Sequence, residues 1–184
     1  GGWKVGNTSG YDQNNALYPE DLIDWVKISQ PEKWERLVAG NGNRASTTLT
    51  QRLVSSLDKQ GTVKILRNGI KVAGAGDIKL SEKLPEDGRD PLAWVRYNAN
   101  ILRVVPQLMY RPGRRLSIDL VFFINGIAVA TVEIKTDFTQ SAMSAVEQYK
   151  KDRLPIDTKT KRKEPLLTFG RGAVVHFAMS DSEI

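Results

Sequence analysis

Leu116–Lys135, LSIDLVFFINGIAVATVEIK, decides how the rest of the chain is read. Two β-rich apolar runs flank Asn125-Gly126, and Asn-Gly between such runs is a strong signal of a tight hairpin turn. Three charges interrupt the apolar pattern: Asp119 in the first run, and Glu133 and Lys135 at the end of the second. A charge in such a setting has to be paired or bound to a metal, because burying it alone is costly. Two carboxylates on adjacent strands suit a hard divalent cation such as Mg²⁺, which takes one or two carboxylates plus phosphate oxygens and keeps several waters. A cation held there would polarise a phosphate and acidify a bound water. Lys135, two residues after Glu133, projects from the same face of its strand and offers a compact positive charge to the attacking water or the transition state. The set therefore points to metal-assisted phosphodiester hydrolysis. On spacing alone, a strand-end ion pair between Glu133 and Lys135, with Asp119 bonded to a turn, is the plain alternative.

Strand parity sets a condition on this site. With a two-residue turn and an unbroken ladder, Ile124 pairs with Ile127 and Asp119 falls opposite Val132, so Asp119 and Glu133 point to opposite faces. A three-residue loop of Ile124, Asn125 and Gly126, or an equivalent bulge within the hairpin, restores a shared face. The three-residue loop places Asp119 opposite Thr131. It leaves Ile118, Leu120, Phe122, Ala128, Ala130, Val132 and Ile134 on the other face, expected to pack under a helix from about Thr139 to Lys151. That helix carries Ala142, Ala145, Val146 and Tyr149 as one apolar stripe.

The segment IDLVFFINGIAVATVEIKTDFTQSAMSAVEQYKKDR, with GTVKILRNG before it and VVHFAMSDSE after it, resembles the N-terminal region of the R (restriction) subunit of type I restriction enzymes. That family carries a PD-(D/E)xK nuclease ahead of a helicase-type motor. The resemblance implies that Asp119 and Glu133 are the metal-binding acids, that Ile134 lends its backbone carbonyl to the metal, and that Lys135 is the catalytic lysine. Ile118 stands where the motif has Pro, a frequent departure, since only the acid touches the metal. The run from Gln148 to Arg153 is similar to the segment that follows the nuclease lysine. Related nucleases often space Gln and Tyr four apart, whereas Gln148 and Tyr149 are adjacent, about 100° apart on a helix. Gln148 is therefore read as a polar orienter in the catalytic set and Tyr149 as packing.

The fold implied is α/β, a restriction-endonuclease-like mixed sheet flanked by helices. Residues 1–184 form a single domain, with a helical cap over 1–60 and a core over 61–184 in the order strand, strand, strand, helix, strand. The function implied is a Mg²⁺-dependent DNA endonuclease module, with DNA and the modification and specificity subunits as partners. ATP belongs to motor domains expected after residue 184, since no phosphate-binding loop occurs in this chain. A catalytically silent nucleic-acid-binding or subunit-docking domain of the same fold is the alternative.

Composition bounds the answer independently. With 184 residues and 40% hydrophobic content, the chain can bury one good core. It has no cysteine, which removes disulfides and thiolate metal sites and suits a reducing cytoplasm. No apolar run approaches a membrane span and no signal peptide is recognisable. A formal charge of +6 favours a polyanionic partner, DNA first. Two basic clusters flank the acidic centre as candidate phosphate contacts: Arg111, Arg114 and Arg115 before it, and Lys150, Lys151, Arg153, Lys159, Lys161, Arg162 and Lys163 after it.

Along the chain, residues 1–16 read as a poorly periodic lead-in, and the glycosylation triplet at Asn7 is discarded as chance. Helices are expected over Pro19–Ser29, Pro31–Ala39 and Ser46–Lys59, the first two opening on a proline suited to the first helical turn. Gly40–Ala45 matches a dinucleotide-binding fingerprint formally, but a helix precedes it, so it reads as a helix end and loop. Gly61–Lys79 reads as a hairpin turning at Asn68-Gly69. A charged loop follows over Ser81–Asp90, then a short helix over Leu92–Asn100. A strand over Ile101–Tyr110 is demoted to an edge or bulged strand by Pro106, with Arg103 and Gln107 as residues that could face the cleft. Leu154–Arg171 reads as a mobile basic loop and Gly172–Met179 as a last strand, with His176 an ordinary strand residue.

Overall fold

Asn125 and Gly126 have φ of 48° and 80°, the positive values at both central positions that a two-residue type I′ hairpin needs. A Cβ on Gly126 would collide with the Tyr18 carbonyl. The computed structural model, which describes residues 2–86, 88–113, 116–135, 142–158 and 160–180, builds its sheet outward from this turn. The strands are β1 (Lys4–Val5), β2 (Ile70–Val72), β3 (Gly76–Ile78), β4 (Leu102–Met109), β5 (Ser117–Ile124), β6 (Ile127–Ile134) and β7 (Val175–Met179). The helices are α1 (Pro19–Ser29), α2 (Pro31–Asn41), α3 (Ala45–Gln60), α4 (Thr62–Asn68), α5 (Pro91–Asn98) and α6 (Ala142–Lys151). The main sheet has the order β1-β4-β5-β6-β7. β4, β5 and β6 are antiparallel neighbours, while β1 joins β4 and β7 joins β6 in parallel. A mixed sheet with flanking helices, running strand, strand, strand, helix, strand from β4 to β7, is the expected architecture.

The hairpin satisfies the parity condition by the bulge rather than by the three-residue loop. Ile124 pairs with Ile127 and Phe123 with Ala128, but Phe122 pairs with Ala130, so Val129 is the extra residue on β6. From there Leu120 pairs with Val132, and one step further puts Asp119 across from Glu133, not Thr131. The bulge also moves Ala128 onto the buried side with Phe123.

The helix α6 lies on the opposite face from the one expected. Its Tyr149 hydroxyl sits 2.7 Å from Thr131 Oγ1 and its ring packs against His176, which places it over Thr131 and Glu133. A buried tyrosine hydroxyl needs a polar partner, and that face of β6 and β7 offers one. The apolar face of Leu120, Phe122, Ala130 and Val132 has no helix over it among the described residues, and Ile134 and Phe177 along it are 45% and 39% exposed.

The N-terminal helices follow the sequence closely. α1 places Glu20 and Asp21 in its first turn and Lys27 in its last, both favourable to the helix dipole, and buries Leu22, Trp25 and Val26 against Leu49 and Leu53 of α3. Gly42, with φ 54°, ends α2 inside the glycine-rich run, as expected, but a 3-10 turn over Gly42–Arg44 rather than a loop leads into α3. The lead-in is less idle than its composition suggests, because β1 pairs with β4 and Tyr11 and Ala16 are core residues.

Two further expectations fail. Thr62–Asn68 is helix α4, not the first strand of a hairpin. Gly69, with φ 74°, donates its N–H to the Ile65 carbonyl at 2.8 Å, so Asn68-Gly69 is a helix stop and the hairpin β2–β3 turns at Ala73–Ala75 instead. A seven-residue run is short enough to fit either period, and burial of Thr62 and Ile65 decides it. The 154–171 segment is organised rather than loose: Ile156 bridges to Lys163, and Leu166 and Leu167 are buried under the sheet. β4 is an inner strand rather than an edge, but β1 pairs only with Arg103 and Val104, so the Pro106 end of β4 has no strand partner on its outer side among the described residues.

Candidate active site

The site lies where β5 and β6 stop pairing. Beyond Leu120–Val132 the ladder is continued by the Asp119 side chain, whose Oδ2 accepts the Ile134 N–H at 2.7 Å. Asp119 Oδ1 accepts a bond from Gln107 Nε2 at 2.9 Å. Gln107 has φ 46°, a strained conformation for a residue with a side chain, costing of order 1 kcal/mol. Its other amide atom, Oε1, accepts from Ser117 Oγ at 3.0 Å, so both ends of Gln107 are used to fix the Asp119 rotamer.

Glu133 is 2% exposed, and its Oε1 accepts a bond from Arg153 Nε at 2.8 Å. A second nitrogen of that guanidinium donates to the Ser117 carbonyl at 2.7 Å, and the group lies 5.5 Å from the Tyr110 ring centre. Burial raises the Glu133 pKa; Arg153 opposes the shift and the neighbouring Asp119 carboxylate adds to it. Two carboxylates set side by side in a desolvated position repel one another, and a cation between them relieves the repulsion. Each carboxylate keeps free lone pairs after the bonds named above. The all-oxygen pair thus fits a hard divalent ion, although among the described residues no third Asp, Glu, His or Cys joins it.

Lys135 leaves the strand with its N–H bonded to Met179 at 2.8 Å. It lines a cleft of about 480 Å³ together with Gln148 and Lys151, and forms no ion pair with Glu133, which is bound to Arg153 instead. Gln148 Oε1 is buried with no hydrogen-bond partner among the described residues. Tyr149 turns the other way, to Thr131 and His176, and burial pushes its phenol up to about 12. Gln148 thus lines the cleft while Tyr149 is directed to the sheet, packed on His176 and bonded to Thr131.

A family model described as the type I restriction enzyme R protein N terminus matches residues 2–184. The chain belongs to this family. No curated protein and no solved structure matches it.

Within this R-protein N-terminal region, the expected cations divide sharply. Arg111 is not a surface contact: it lies 2.9 Å from Asp157 and 2.8 Å from Glu164, both nearly buried. Arg153 is likewise internal, with a side chain 6% exposed. Both corrections have one cause, since arginines beside buried acids are drawn inward to neutralise them. Lys150 and Lys151 stay exposed at the end of α6, each beside Glu147. Lys161, Arg162 and Lys163 are exposed on the turn after Asp157. Arg114, Arg115 and Lys159 lie outside the described residues, as does the start of the expected helix at Thr139. Arg103 does not face the cleft but clamps buried Asp21 through two 2.6 Å bonds. Arg153, read from the sequence as a phosphate contact, is instead the buried partner of Glu133, where the sequence alone offers Lys135.

Proposed function

We propose that this domain is the divalent-metal-dependent DNA endonuclease of the R protein, hydrolysing phosphodiester bonds at Asp119, Glu133 and Lys135. The observation that carries the reading is the β6 bulge, which brings two acids from adjacent strands together where the strands part. Asp119 and Glu133 would hold Mg²⁺, with the Ile134 carbonyl as a further oxygen. When bound, the ion supplies Lewis-acid polarisation of the phosphate and an acidified water. The chain's own groups do the rest. Gln107 fixes the rotamer of Asp119, and Arg153 fixes that of Glu133. Lys135 presents its ammonium to the charge that develops on the phosphate. The unpartnered Gln148 Oε1 accepts a hydrogen bond from a water and orients it. DNA and the modification and specificity subunits are the partners this role requires, in the cytoplasm.

One observation favours a second reading, a catalytically silent domain of the same fold: Glu133 is already satisfied by Arg153. Calorimetry with Mn²⁺ separates the two. The nuclease reading expects a site that Asp119→Ala abolishes and Lys135→Ala keeps. It also expects that a restriction complex carrying Lys135→Ala retains ATPase and translocation but no longer cuts. Absence of Mn²⁺ binding by the unaltered chain, or double-strand cleavage by the Lys135 variant, removes it.

A further inference from the structure

Phe169 is 99% exposed, yet the turn that carries it is held from several directions. The Gly170 carbonyl accepts the Thr62 N–H at 2.7 Å, and the buried Thr62 hydroxyl lies 2.6 and 2.8 Å from the carbonyls of Arg171 and Gly172. Arg171 bonds Asp58 at 3.1 Å and the Asn15 carbonyl at 2.7 Å. A Cβ on Gly61 would come within 2.7 Å of the Gly170 oxygen, so the close approach of the two segments depends on that glycine. A large aromatic ring is therefore presented to water on an anchored backbone. Held on this backbone, the ring keeps its face open to a planar partner.

The surface leading to Phe169 starts at the candidate active site. The 480 Å³ cleft at Lys135 shares Gln148 and Lys151 with a hollow of 430 Å³, which meets one of 220 Å³ at Arg111. That hollow shares Lys163 with a 660 Å³ cleft lined by Lys59 and Phe169. Apart from Asp152, the acids along this path are engaged: Glu147 by Lys151, Asp157 and Glu164 by Arg111, and Asp58 by Arg171. Lys59, Arg162 and Lys163 form no ion pair among the described residues and set the sign of the path.

From this we infer that the path is a track for single-stranded DNA leading away from the active site, and that Phe169 stacks on a base at its far end. The inference rests on the nuclease reading for the identity of the polyanion. Cationic hollows joined in line follow a phosphate backbone, and an aromatic face takes any base whose own face is free. Bases inside a duplex have no free face, which is why the track is assigned to a single strand.

Anisotropy with fluorescein-labelled oligo-dT tests it on the whole chain. Phe169→Ala and Phe169→Leu should each weaken binding roughly tenfold, the usual size of one base–aromatic stack. Phe169→Trp should bind like the unaltered chain, with its indole emission quenched by the oligonucleotide. The salt dependence should not change in any of the three, because stacking releases no counterions. Since the ring touches solvent alone, circular dichroism should show all three folded. Equal affinity of the Ala variant, a Leu variant as good as Phe, or self-association that Phe169→Ala abolishes without any effect on oligo-dT would each overturn the track. Mn²⁺ binding lost in Asp119→Ala while the Phe169 variants bind DNA normally sinks the track alone. Oligo-dT stacking without any Mn²⁺ site leaves the track and sinks the nuclease reading.

Discussion

Arg153 is the residue on which the site's electrostatics turn. It follows α6, where the N–H groups of Asp152 and Arg153 both close back on the Gln148 carbonyl, at 2.8 and 3.0 Å. The chain so turned drives the guanidinium under the sheet to Glu133 and the Ser117 carbonyl. Removing one partner of a buried pair leaves the other charge uncompensated, at about 3–5 kcal/mol. Arg153→Ala should therefore lower the urea midpoint substantially at neutral pH. Arg153→Lys should fall between, because an ammonium lacks the planar fork that reaches two acceptors. If the carboxylate pair is a cation site, Mn²⁺ should restore more stability to the Ala variant than it adds to the unaltered chain, by linkage to folding. An Ala variant as stable as the unaltered chain would show the pair to be incidental.

Among elements, the β5–β6 hairpin carries both the fold and the site. Asn125 is fully buried at its tip and is bonded on every side. Its Oδ1 accepts the Ile101 N–H at 2.7 Å, and its Nδ2 donates to the Leu80 carbonyl and to Asn100, each at 2.9 Å. Asn125→Ala strands buried groups that cost about 1–3 kcal/mol apiece, so a loss of about 3 kcal/mol or more is expected in urea unfolding. A loss below about 1 kcal/mol would mean that water replaces the amide. Asn-Gly and the alternating runs made this hairpin legible in the sequence, and the clash of Asp119 with Glu133 over parity showed that an irregularity was needed. Where it fell was not legible, because a bulge at Val129 and a longer loop restore the same shared face. The helices α1 to α3 were legible for a simpler reason: prolines start the first two, and leucines recur at helical spacing in the third. Helix α4 was hidden by its length, and the face taken by α6 was hidden because it depends on a polar pair, Tyr149 with Thr131, rather than on the apolar stripe.

Across the whole molecule, a net charge of +6 says nothing by itself about where a polyanion binds. The structure sorts the cations by what the neighbouring acids do. Arg103, Arg111, Arg153 and Arg171 each engage a carboxylate inside or between elements, where they hold cap, sheet and the 154–171 segment together. Among the many cations left facing solvent, Lys161, Arg162 and Lys163 share a single turn. That turn is shaped by main-chain bonds: Asp157 N–H to the Arg162 carbonyl at 2.8 Å and Lys161 N–H to the Asp157 carbonyl at 2.9 Å. Replacing the three side chains with alanine should therefore leave the turn and the global stability unchanged. Each lost phosphate contact on a single strand reduces the slope of log affinity against log salt by about 0.7. If all three touch phosphate, the slope should flatten by roughly two and affinity should fall alike for every sequence, since phosphate contacts carry no base information. The decisive measurement is a salt titration of oligo-dT and of a duplex of arbitrary sequence with the triple variant. An unchanged slope on both would make the turn an ordinary solvated surface, while a flattened slope together with the tenfold effect at Phe169 would divide the track into a part that holds phosphates and a part that holds a base.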